Sequence, residues 1–140
     1  MADDGGLSRF QNRMRAIPTA VREAVKPALL KSADEVADMQ RQLAPEDTGA
    51  LEESITVTPP GQATPEYSQP GGSRVAGELE AIVTAGNEDV RYPHLVEHGT
   101  TKTHAQPFFW PGFRLTRKRA ANRIKGAISR AVRRNWGSGK

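Results

Sequence analysis

Tyr92–Phe113 reads YPHLVEHGTTKTHAQPFFWPGF. It holds His94, His98 and His104, which are all the histidines of the chain, and three prolines, Pro93, Pro107 and Pro111. It also holds Phe108, Phe109, Trp110 and the last acidic residue, Glu97. Two readings compete. In the first, His94-Leu95-Val96-Glu97-His98 is an H-x-x-E-H zinc site. That chemistry needs both imidazoles on one helical face, with the glutamate polarising a metal-bound water. Pro93 precedes the motif and Gly99 follows it, so the helix would span little more than one turn. In the second reading the segment is a strand. His94, Val96 and His98 then share one face, and Leu95 and Glu97 point to the other. A base on the opposite face cannot serve the metal, and no acid follows residue 97 to complete the ligand set. The strand is therefore the expectation, with no metal, cofactor or catalytic residue assigned. Gly99 then turns the chain sharply, Thr100–Gln106 is a polar loop, and Pro107 and Pro111 clamp the aromatic turn.

Beyond the aromatic turn, apolar residues at Phe113, Ala120/Ala121, Ile124, Ala127/Ile128 and Ala131/Val132 predict a long helix from about Gly112 to Asn135, with Pro111 suited to its first position. Its other faces are Arg and Lys. Residues 98–140 carry 11 Lys+Arg and no acid, whereas residues 1–97 carry 9 Lys+Arg and all 16 Asp+Glu. This split points to a polyanion partner or to self-complementary assembly. Residues 137–140, Gly-Ser-Gly-Lys, read as a flexible tail; a phosphate loop would need a strand before it and a helix after it.

Upstream, residues 1–6 read as a disordered acidic leader. A stripe at Leu7, Phe10, Met14, Ile17, Val21, Val25, Ala28/Leu29, Ala33, Val36 and Leu43 predicts helix, broken near Pro18 and kinked near Pro27, with 18–43 the stronger part. Pro45 ends it, since the residue before a proline is pushed out of the helical region. Asp47 or Thr48 can cap a short turn entered through Gly49. Asp47-Thr48-Gly49 is also the aspartic protease tripeptide, but those enzymes pair two such aspartates, so the second copy would have to come from a dimer partner, and the flanking apolar strand that buries the loop is missing. Ser54–Thr58 reads as a strand and the Pro/Gly-rich 59–73 as an exposed loop. Arg74–Ala85 reads as a second strand with Val75, Gly77, Leu79, Ala81 and Val83 on its better-buried face. The expected fold is α+β: a single domain over 7–136, with a small antiparallel sheet of three to four strands, a long N-terminal helix and a basic C-terminal helix packed against it.

The chain has no cysteine, so thiolate metal sites and disulfides are excluded. No apolar run reaches the ~20 residues of a membrane span. The acidic start, MADDGGLSRF, predicts no export signal and synthesis in the cytoplasm.

Three landmarks carry a resemblance: Ala44-Pro45-Glu46-Asp47-Thr48-Gly49-Ala50-Leu51 with Ser54-Ile55; Tyr92 with Val96-Glu97-His98-Gly99-Thr100; and Gln106-Pro107-Phe108-Phe109-Trp110-Pro111-Gly112-Phe113 before a terminal helix. Together they resemble the neck proteins of long-tailed bacteriophages, the head–tail joining or tail-completion family distantly related to the phage lambda minor tail protein Z. Gly112 stands where that pattern has alanine. The resemblance implies a structural virion protein without catalysis or cofactor. It implies a homo-oligomeric ring, sixfold by analogy, between the head connector and the tail tube. Contact with DNA in the channel and with other neck proteins is part of the same expectation, and a membrane is not. Tail terminator and head-closure layers are the alternatives within the neck. Outside it stand a nucleic-acid-binding module using Arg114 to Arg134 and, last, the zinc hydrolase. The residues expected to carry assembly are Phe108, Phe109, Trp110, Arg114, Arg117, Arg123 and Glu97. The structural turns are Pro45, Asp47, Gly49, Gly99, Pro107 and Pro111.

Overall fold

The computed structural model describes residues 18–45, 49–102 and 104–137. Leu7–Ile17, Asp47 and the segments 1–6 and 138–140 lie outside the described residues. The elements run α1 (Thr19–Leu43), α2 (Ala50–Glu53), β1 (Thr56–Thr58), β2 (Ile82–Thr84), α3 (Pro93–His98) and α4 (Phe109–Gly137).

The 25 residues of α1 run through Pro27 as one element. Of the predicted stripe Val21, Val25, Ala33 and Val36 are buried and Ala28 and Leu29 half-buried, and Ser32, Ala37 and Gln40 complete the buried face. Leu43 is the exception and stays exposed at the last turn. Ala44 takes an extended conformation before Pro45, which stops the helix. Gly49, with φ +79°, starts α2 from the left-handed region that glycine adopts without cost.

The helix α4 packs antiparallel on α1. Gln40 meets Phe109, Ser32 meets Ala120, and Val21 and Val25 cluster with Ala131. Small side chains let the helices approach closely. A Cβ placed on Gly112 would lie 2.5 Å from Gln40 Cγ and 3.0 Å from the Gln40 backbone. The departure from alanine at Gly112 is thus a condition of this helix pairing. A second cluster joins both helices to the sheet through Ala37, Leu51, Ile55, Ala85, Val90, Phe108 and Phe109.

The sheet is smaller than expected. Its two strands pair antiparallel, Thr56 with Thr84, Val57 with Val83 and Thr58 with Ile82. The second strand reaches back only to Ile82. Arg74 closes instead on Glu80, both guanidinium nitrogens donating to its carboxylate at 3.0 Å, and this folds 74–80 into a loop. Val75, expected on the buried face, is 65% exposed. The 59–73 stretch is exposed over much of its length but is anchored at Thr64 and Ser68, which are buried. Thr64 and Arg74 pair through two hydrogen bonds of 2.8 Å, and isolated bridges join Ala63 to Val75 and Gln69 to Ala85.

The third expected strand is a helix. Pro93 occupies the first turn of α3, where a missing N–H costs nothing and φ is already helical. Gly99, at φ +77° and ψ 175°, closes the other end in a conformation that is essentially restricted to glycine. Proline before and glycine after bracket a short helix here, not a strand.

Candidate functional site

The helical form of α3 changes what its side chains can do. His94 and His98 lie four residues apart on one face and are both exposed. Glu97 is buried, at 8% exposure, and faces the start of α4. Its Oε1 accepts the backbone N–H of Phe108 at 2.9 Å and of Phe109 at 2.8 Å, and its Oε2 accepts that of Trp110 at 3.3 Å. The next residue, Pro111, has no N–H. Gly112 then makes the first in-helix bond, to Phe108 O at 3.1 Å. One carboxylate from a neighbouring helix therefore satisfies every donor that the first turn leaves open. Gln106 N–H donates to Val96 O at 2.8 Å and brings the loop back to α3.

This arrangement explains why the H-x-x-E-H motif does not assemble as a zinc-protease site. The glutamate that would act as base is held by three backbone donors. Among the described residues no three His, Asp or Glu side chains are grouped to hold a metal ion.

The aromatic turn runs from core to surface. Phe108 is fully buried and Phe109 nearly so, while Trp110 is 41% exposed. Successive rings meet edge to face, Phe108–Phe109 at 6.3 Å, Phe109–Trp110 at 5.1 Å and Trp110–Phe113 at 6.3 Å. The residues expected to act together in assembly therefore divide. Phe108, Phe109 and Glu97 make contacts inside their own chain, whereas Trp110, Arg114 and Arg117 face outward.

Arg123 belongs to the inner group. It is ion-paired with Glu35 on α1, and its Nη1 lies 3.4 Å from Ser32 Oγ. The hydrogen bond from Arg123 holds the Glu35 carboxyl below its ordinary value, and the same bond raises the arginine. Glu80 is likewise lowered, chiefly by its hydrogen bond from Arg74. Among the described residues Arg123 is the α4 cation that forms an ion pair; Arg119 also helps hold the Glu35 carboxyl down through its charge, while Arg114, Arg117, Lys118, Lys125, Arg130, Arg133 and Arg134 are exposed and form no ion pair.

Beside Trp110 an apolar groove of about 310 Å³ opens between α1, α4 and β2, lined by Leu29, Val36, Ile82, Phe113 and Ile124 among others. Two residues place these parts, Gln40, which sequence reasoning missed, and Gly112, which it noted only as a departure from alanine. Gln40, 1% exposed on the apolar face of α1, donates its side-chain amide to Phe109 O at 2.9 Å. Gly112 is the contact point beneath it. The glycine three residues after a buried aromatic pair was the available signal.

A family model described as "Bacteriophage HK97-gp10, putative tail-component" matches residues 8–99, from before α1 to the end of α3. No curated protein and no solved structure matches the chain.

Proposed function

Because the chain belongs to this HK97-gp10-like family of phage tail components, we propose that it is a structural virion protein of the phage neck, forming a ring that joins the head connector to the tail tube. The match over residues 8–99 carries this reading. The geometry supports it: the glutamate of the H-x-x-E-H stretch is a helix cap, and the outward-facing residues suit a contact surface. Trp110, Phe113, Arg114 and Arg117 combine large apolar area with charge, the composition of interface anchors. A chain with an acidic body and a basic helix suits head-to-tail contacts that close by rotation. On this reading the protein is a virion component with no catalytic step, its partners are copies of itself and the adjoining neck layers, and DNA passes through the assembled ring.

The test is reconstitution. Purified chain, alone and mixed with head connector and tail tube, is followed by native mass spectrometry and negative-stain microscopy. Closed rings seated on either partner are expected. A chain that remains monomeric with both partners present overturns the proposal.

A further inference from the structure

The outer face of α4 has an internal order. Trp110, Arg114, Arg117, Ala121, Ile124 and Ile128 follow one another in steps of four and three, which places them in a single row along the helix. Trp110 and Ile128, at 41% and 38% exposure, mark the two ends of the row, and Phe113 at 40% lies beside it. Lys118 and Lys125 flank it and are exposed. The row is thus apolar at its two ends with Arg114 and Arg117 within it and Lys118 and Lys125 along its margin, and none of these cations has an ion-pair partner among the described residues.

A second surface has the opposite sign. Glu52 and Glu53 on α2 and Glu88 and Asp89 in the turn after β2 lie at one end of the sheet. Gly86 N–H donates to Ser54 Oγ at 3.0 Å and ties the turn to α2. Asn87 Oδ1 accepts the N–H groups of Asp89 and Val90, both at 2.9 Å, and fixes the turn itself. A Cβ on Gly86 would stand 3.0 Å from Pro93 Cγ, so the turn also packs on α3. Tyr92 and Leu95, 39% and 45% exposed, stand next to it. The four carboxylates form no ion pair among the described residues, and no ion pair joins the two surfaces within one chain.

From these two surfaces we infer that the occupant of the α4 row is the acidic end of a second copy of this chain, Glu52, Glu53, Glu88 and Asp89 meeting Arg114, Arg117, Lys118 and Lys125 head to tail. This rests on the ring reading above and names its contact. Duplex DNA is the competing occupant. The exposed Trp110, Phe113 and Ile128 decide against it, because a phosphate backbone has no apolar surface to match them. Where the two patches of one chain meet two different neighbours, the contact is heterologous and can close into a ring; a pair in which both patches meet the same neighbour would be a twofold dimer.

Reciprocal charge reversal tests the contact. Arg114→Glu/Arg117→Glu/Lys118→Glu and Glu52→Lys/Glu53→Lys/Glu88→Lys change exposed or half-exposed side chains, and circular dichroism checks that each still folds. Sedimentation velocity at low salt is expected to show self-association weakened at least tenfold in either variant alone. Mixing the two restores association, because each supplies the surface that the other retains only in reversed sign. If both variants associate like the natural chain, the contact lies elsewhere and the ring reading stands without it. If the basic reversal abolishes binding to a duplex of random sequence but leaves association intact, the row faces nucleic acid and the inference is overturned. A natural chain that stays monomeric with connector and tail tube present removes the ring reading and the contact together.

Discussion

The Glu97 carboxylate accepts the backbone N–H of Phe109 at 2.8 Å, twelve residues along the chain and at the start of a different helix. Replacing it by alanine leaves three donors near the core without acceptors. A lost buried hydrogen bond to a charged group costs about 1.5–3 kcal/mol, and the three share one carboxylate, so Glu97→Ala is expected to destabilise by about 3–4 kcal/mol. Glu97→Gln retains one acceptor oxygen and is expected to cost about half as much. Urea denaturation followed by far-ultraviolet circular dichroism measures both; equal midpoints for the natural chain and Glu97→Ala would show that the cap is not needed.

Gly112 and Gly126 sit in the same helix and should respond in opposite directions. Alanine is favoured over glycine in a helix by about 1 kcal/mol. At Gly126 the added methyl meets Arg130 Nη1 at 3.2 Å, the movable end of a long side chain, so Gly126→Ala should stabilise by up to about 1 kcal/mol. At Gly112 the methyl meets the Gln40 backbone at 3.0 Å, and overpacking of that kind costs about 1–3 kcal/mol. Gly112→Ala should therefore melt lower than the natural chain and Gly126→Ala no lower.

Truncation along the aromatic turn should separate folding from assembly. Phe108 is 0% exposed, and Phe108→Ala is expected to cost about 3–5 kcal/mol. Trp110→Ala should keep the fold, with a melting temperature within a few degrees, and lose ring formation on the connector. Thermal melts beside native mass spectrometry read the two effects separately.

Acid should loosen the α1–α4 pairing through Glu35. Its carboxyl is held below the ordinary value of 4.5 by the Arg123 hydrogen bond. A depressed folded-state value means that the unfolded chain binds the proton more readily. The contribution is therefore present above pH 4.5 and is lost as the pH falls through the lower, folded-state value. Glu80, lowered by Arg74, adds the same sign over the same window. Glu35→Gln should flatten the acid limb of a stability-versus-pH curve and leave it unchanged at neutral pH apart from a constant offset.

The helices were legible because their signals are local and long. The α1 stripe at Val21, Val25, Ala33 and Val36 repeats over many turns, and the basic helix follows a clear start signal. The proline that stops α1 and the glycine that opens α2 act on their own residues and could be read directly. The α3 segment was misread because six residues carry too little periodicity to separate helix from strand, and Pro93 and Gly99 were weighed as breakers rather than as helix ends. The second strand was overextended because the alternation in 74–81 competes with the Arg74–Glu80 pair, which depends on how the chain folds back. The capping role of Glu97 was not legible for the same reason: its donors lie eleven to thirteen residues away, and no pattern in sequence announces such a cap.

The cap also governs which ligands can reach α4. The amino end of a helix carries roughly half a positive charge and ordinarily offers free N–H groups to phosphates. Here that end faces an internal carboxylate, its first three donors are taken, and its next residue is a proline. A helix so rich in arginine and lysine is thereby closed to anions end-on, and a polyanion threading past it can engage the helix only along its flank.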